Sequence, residues 1–118
     1  MFEFMRIKTN QTINYNPTIV DIYRKTETKT DSGGIDENYS LLVTGEKIKL
    51  YNKKTELINN ETGEKKVYTV KALCNYDIDI KEEDKLITEN NREYKVKIIT
   101  PFSFQREIIK YELVLEEL

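Results

Sequence analysis

From Lys85 to Leu115 the chain alternates apolar and polar residues in two runs separated by polar punctuation, and this period of two constrains the fold more than any other feature. It demands strands with one buried face. Leu86 stands against Tyr94, Val96 and Ile98 across Asn90-Asn91, a pair whose side chains tolerate the left-handed backbone that a two-residue hairpin loop requires. Pro101 to Phe104 predicts a break in that ladder. Glu107 to Leu115 then predicts a last strand with Ile109, Tyr111, Leu113 and Leu115 on one face.

The same grammar extends upstream. Thr18 to Thr28 is rich in strand formers, with Val20, Ile22 and the stem of Arg24 on one face. Asp31-Ser32-Gly33-Gly34 is turn chemistry, an aspartate and two glycines free to take positive φ, so the chain is expected to reverse there. Asn38 to Leu50 resumes as a long or broken strand carrying Tyr39, Leu41, Val43, Ile48 and Leu50, with Gly45 marking a bulge or bend. Val67 to Asn75 reads as a further strand whose buried face is Tyr68, Val70, Ala72 and Cys74. Asp77 to Asp84 is a charged connection.

Two segments do not read as strands. Residues 1–17 turn polar and Asn/Thr-rich after Phe2 and Phe4 and close at Pro17, which predicts a loosely packed N-terminal arm. Asn52 to Lys66 holds only Leu57 and Ile58 as apolar members among fifteen residues and predicts a long polar loop. About six extended segments at short spacing, with no amphipathic helix of ten residues, give an all-β class: a small antiparallel barrel or sandwich over 18–118 behind the arm. At 118 residues there is material for one core.

Composition removes most chemistry. The chain has no histidine, hence no usual general base, zinc ligand or histidine-dependent nucleophile, and no enzymatic activity is expected. Asp77 and Asp79 open like a calcium loop, but Lys81 stands where an oxygen ligand belongs and Glu82 where glycine does, so no metal is expected. The four glycines form no phosphate-binding loop, and no cofactor is expected. Nineteen basic against 21 acidic residues favour neither a nucleic acid nor a membrane as partner. No apolar run approaches the ~20 residues of a membrane span, and the N-terminus lacks the features of a signal peptide, so a soluble, unsecreted protein is expected. The lone Cys74 reads as a small hydrophobe on a buried strand. Eight tyrosines and four phenylalanines leave an oligonucleotide-stacking barrel as an alternative, weighed against packing of Tyr23, Tyr39, Tyr68, Tyr94 and Tyr111 within strand patterns.

Asp21-Ile22-Tyr23-Arg24-Lys25-Thr26, then Thr30 to Tyr39, a long polar insertion, Asp79-Ile80-Lys81-Glu82-Glu83-Asp84-Lys85-Leu86 and Arg92-Glu93-Tyr94-Lys95-Val96 together resemble the head-tail connector family of tailed bacteriophages, its head-closure or stopper members. The resemblance covers residues 20 to 116. It departs in Asn90-Asn91, where a glycine is often seen, and in the longer N-terminal arm. It implies a barrel subunit that is monomeric in solution and assembles as a ring of about twelve copies. The ring would sit between a portal or adaptor ring and a tail-completion protein, extending and closing the channel through which packaged DNA passes without specific binding. It would form in the host bacterial cytoplasm and end in the virion neck. On this reading the insertion, through Asn52, Lys53, Lys54, Glu56, Asn59, Asn60, Glu61, Glu64, Lys65 and Lys66, lines or closes the channel, its mixed charge avoiding a grip on phosphates. Phe2 and Phe4 on the arm and Asp31, Gly33 and Gly34 in the turn would contact partners.

Overall fold

The computed structural model describes residues 1–29, 35–60 and 63–118, the side chains of 27–29, 35–37, 52, 56–60 and 64–67 excepted. A helix, α1 (Phe2–Asn14), is followed by six strands: β1 (Thr18–Lys29), β2 (Ile35–Asn60), β3 (Gly63–Asn75), β4 (Lys85–Thr88), β5 (Glu93–Phe104) and β6 (Glu107–Glu117). All neighbouring pairs are antiparallel, and the order β1-β2-β3-β6-β5-β4 closes on itself through β4 against β1. Of the two expected architectures, barrel and sandwich, the chain forms the barrel, and closure removes the sheet edges around its wall.

The interior is filled by Val20, Ile22, Ile48, Val70, Ala72, Cys74, Ile78, Leu86, Tyr94, Val96, Leu113 and Leu115. Burying each large aliphatic among them contributes about 1.5–3 kcal/mol. The alternation read from the sequence accounts for most of this set, and bulges account for some of its errors. Ile98 was expected beside Val96 but is exposed, because the register advances from Val96↔Leu115 to Ile98↔Val114 and the extra residue, Lys97, reverses the phase. Leu41 is exposed and Tyr68 is too, although Val70, Ala72 and Cys74 on the same run are buried. Gly45 does mark a bulge. It has φ +71°, its N–H donates to Asp21 Oδ1 at 3.1 Å, and the β1–β2 register shifts beside it.

Three further expectations need correction. Four residues, Glu89 to Arg92, separate β4 from β5 where a two-residue loop was expected, with Asn91 N–H donating to the Thr88 carbonyl at 2.9 Å and Thr88 N–H to that of Arg92 at 2.9 Å. Of Asn90 and Asn91, only Asn91 is left-handed, at φ +61°. Pro101 does not break the ladder: β5 runs to Phe104, Pro101 pairing with Tyr111, and turns through Gln105 and Arg106, both left-handed. The arm of residues 1–17 is mostly helix. Its inward stripe is Phe2, Arg6, Thr9 and Ile13, helically spaced but only half apolar, which is why no amphipathic pattern announced it. Ile13 is fully buried, Asn16 turns the chain at φ +59°, and Pro17 prevents continuation.

Of the polar segment 52–66, the described residues, 52–60 and 63–66, are strand and not loop. β2 continues to Asn60 and β3 begins at Gly63, the ladder running from Lys54↔Thr69 to Asn60↔Gly63. β2 thus serves two hairpins. It pairs with β1 through Ile35 to Ile48 and with β3 through Lys49 to Asn60. Fully extended, 26 residues would span roughly 85 Å, yet the longest axis of the molecule is 53 Å, so β2 is strongly bent. Register shifts beside Gly45 and between Tyr51 and Lys54 supply the bends.

Candidate functional site

The motifs that carry the sequence resemblance meet in space. Arg24, on β1, donates from Nε to Asp84 Oδ1 at 3.2 Å and from Nη2 to Asp84 Oδ2 at 3.0 Å, and Nη2 also reaches Asp79 Oδ1 at 3.1 Å. Lys81 N–H donates to the same Asp84 Oδ2 at 2.9 Å. Asp84 is almost fully buried. The bond to Asp84, opposed by desolvation and reinforced by Asp79, raises the Arg24 pKa above its ordinary value. The backbone carbonyl of Asp84 accepts from Val96 N–H at 2.9 Å, so this fork and its neighbours clamp the acidic connection onto β1 and β5. These motif residues hold the barrel closed.

The residues expected to gate or dock fall in separate places. Asp31, Gly33, Gly34 and Glu61 lie outside the described residues. Lys53 is exposed and stands 3.7 Å from Glu117, and Lys54 is exposed beyond it. Asn52 lies at the register shift where β2 bends, while Glu56, Asn59, Asn60, Glu64, Lys65 and Lys66 sit in the ladder of the outer hairpin, Glu56 opposite Val67 and Asn59 opposite Glu64. Among the described residues, β3 before Thr69 and β1 beyond Tyr23 have no strand partner except β2, so each hairpin leaves the wall as a two-stranded ribbon. The two ribbons depart from opposite ends of β2.

Between them, α1 packs on β2, β3 and β6 near the middle of β2, where β1 ends its pairing and β3 begins. Phe2 is half-buried under Arg6, whose guanidinium also covers the Tyr76 ring at 3.7 Å. Arg6 donates to the Ile108 carbonyl from Nε at 3.0 Å and Nη2 at 2.8 Å. That carbonyl sits at a β6 register shift, where a ladder leaves backbone groups free to take a side-chain donor. Phe4, on the side of the helix away from the buried stripe, is 58% exposed.

The helix and the β5–β6 hairpin enclose a trough of about 470 Å³ that the sequence did not reveal. Phe4 and Met5 form one wall and Phe102 the other, over a floor of Thr9, Leu73 and Ile109. The only sequence signal is the Phe4-Lys8-Thr12 spacing, visible once the segment is known to be helical. Burial pushes the Cys74 thiol up to about 12, and burial together with a hydrogen bond to Glu112 pushes the Tyr51 hydroxyl up to about 12. Among the described residues no cluster of acidic or cysteine side chains is arranged to hold a metal ion, and no helix is long and apolar enough to cross a membrane.

With that geometry in hand, one solved structure is informative. The chain is similar to the phage-like element PBSX protein xkdH from Bacillus subtilis, at 19% identity and a TM-score of 0.57, over 86% of this chain and 93% of that one. The two share a fold. No protein-family model matches the chain, and no curated protein matches it in sequence.

Proposed function

We propose that this chain is a structural protein of a tailed phage or prophage that joins the portal vertex of the head to the tail and closes the DNA channel after packaging. The observation that carries the reading is the fold held in common with a phage-like element protein over nearly the whole of both chains. The ribbons support it from the side of physics. A subunit that bridges two rings needs more than one contact surface, and β2 supplies a ribbon at each of its ends. Outside the wall, the free edges of β1 and β3 offer backbone donors and acceptors that a neighbour's strand can pair with, so ribbons aligned around a ring can gain order from one another. In this proposal the 52–66 ribbon faces the channel and the surface around α1 faces a partner.

The test is electron microscopy of particles made after inactivation of the gene in its parent phage or prophage, with and without a wild-type copy in trans. Heads that are empty or leaking, beside separate finished tails, are expected. Normal tailed particles would overturn the proposal and return attention to oligonucleotide binding.

A further inference from the structure

Five lysines of the barrel and its ribbon root lie close to a glutamate carboxylate: Lys53, Lys71, Lys85, Lys95 and Lys97, at 2.7 to 3.7 Å. Lys8 and Lys110 differ. Among the described residues neither has a carboxylate partner, and each ammonium lies over a ring of the trough instead, Lys8 Nζ 5.4 Å from the centroid of Phe4 and Lys110 Nζ 5.2 Å from that of Phe102. Two aromatic side chains, 58% and 41% exposed, therefore line the trough above a largely apolar floor, and each carries a cation. Like Lys47, Lys49, Lys54 and Lys81, these two cations have no carboxylate within 4 Å among the described residues, but they alone lie at the rim of an apolar trough.

We infer that this trough docks a protein segment with an apolar centre and carboxylates at its flanks. The apolar centre follows from Leu73 and Ile109 on the floor and Met5 beside Phe4, and the carboxylates from Lys8 and Lys110 at the rim. The volume suits a few side chains of a docked segment. A nucleic-acid strand fits less well: the rings are already capped by lysines, and a chain with more acidic than basic residues offers its backbone no track of cations. In taking the partner to be a virion protein the inference rests on the function proposed above; the chemistry of the trough does not.

The experiment is a titration of the isotope-labelled full chain, followed by the amide resonances of residues 4–12 and 102–110. The probes are a peptide with a Leu-Phe-Leu centre and glutamate flanks, the same centre with lysine flanks, a serine centre with glutamate flanks, and an oligothymidylate. The first peptide is expected to shift those resonances and to bind about tenfold or more tightly than any other probe. Phe102→Ala, at an exposed position, is expected to weaken it, and Lys8→Glu with Lys110→Glu to reverse the preference in favour of lysine flanks. Equal binding of both charge types, tighter binding of the oligonucleotide, shifts caused by self-association alone, or no shifts would each overturn the inference. None of these results would alter the particle phenotype, and normal particles would leave the titration unaffected, so the two readings fall separately.

Discussion

Asp84 retains 2% of its surface exposure, and a carboxylate so placed is tolerated because Arg24 and the Lys81 N–H occupy its oxygens. Arg24→Met keeps the apolar stem and strands the charge. The expected loss is about 3 kcal/mol, at the low end for a broken buried pair because the outer edge of Arg24 remains in solvent; a fall in the urea midpoint at constant slope measures it. The stem of Arg24 was legible as an inward position, but its partner lies 60 residues away in what reads as a solvated acidic run, and nothing local distinguishes Asp84 from Glu82 or Glu83. Glu46 makes a second case. Burial first, and then the charge of Asp77, raise its pKa above the ordinary carboxylate value. The folded state therefore holds that proton more tightly than the unfolded chain, and stability is lost as pH rises through the window from the unfolded to the folded pKa. Glu46→Gln is expected to unfold at a higher urea concentration than the wild type at pH ~7, with the gap closing by pH ~3.5.

Among the elements, strands were readable and their ends were not. Period-two patterning identified the cores of β1, β3, β4 and β6 because each is buried on one face, whereas the outer half of β2 is polar on both faces and gave no period to read. Its order comes from backbone pairing, which leaves little trace in side-chain type. The helix was hidden for a related reason, since Arg6 does in its stripe what an aliphatic residue would do elsewhere. Turn chemistry also gave no signal at Gln105 and Arg106, two residues with no special liking for positive φ that nevertheless make the β5–β6 reversal at φ +51° and +67°. Arg106→Gly should relieve that strain and raise stability by about 1 kcal/mol, read as an increase in Tm. An unchanged or lower Tm would mean that the Arg106 side chain contributes more than its backbone costs.

For the whole molecule, the barrel and the ribbons are separable. Every strand pair that closes the wall on the β3 side begins at Thr69 or later, so replacing residues 56–67 by Asn-Gly, to join Thr55 to Tyr68, should leave Tm within a few degrees of the wild type. In phage the shortened subunit is expected to yield assembled necks that fail to retain DNA, measured by nuclease sensitivity of the packaged genome; full protection would remove the channel role from this ribbon. The barrel class followed from strand count and spacing, but the reach of the ribbons depended on long-range register. β2 has one more consequence, a mechanical one. Because both ribbons are grown from a single strand, a pull between whatever grips them travels along covalent backbone, and the ladders beside it are loaded in shear, many bonds together. A strand shared in this way resists tension from two sides without asking any one contact between separate parts to bear it.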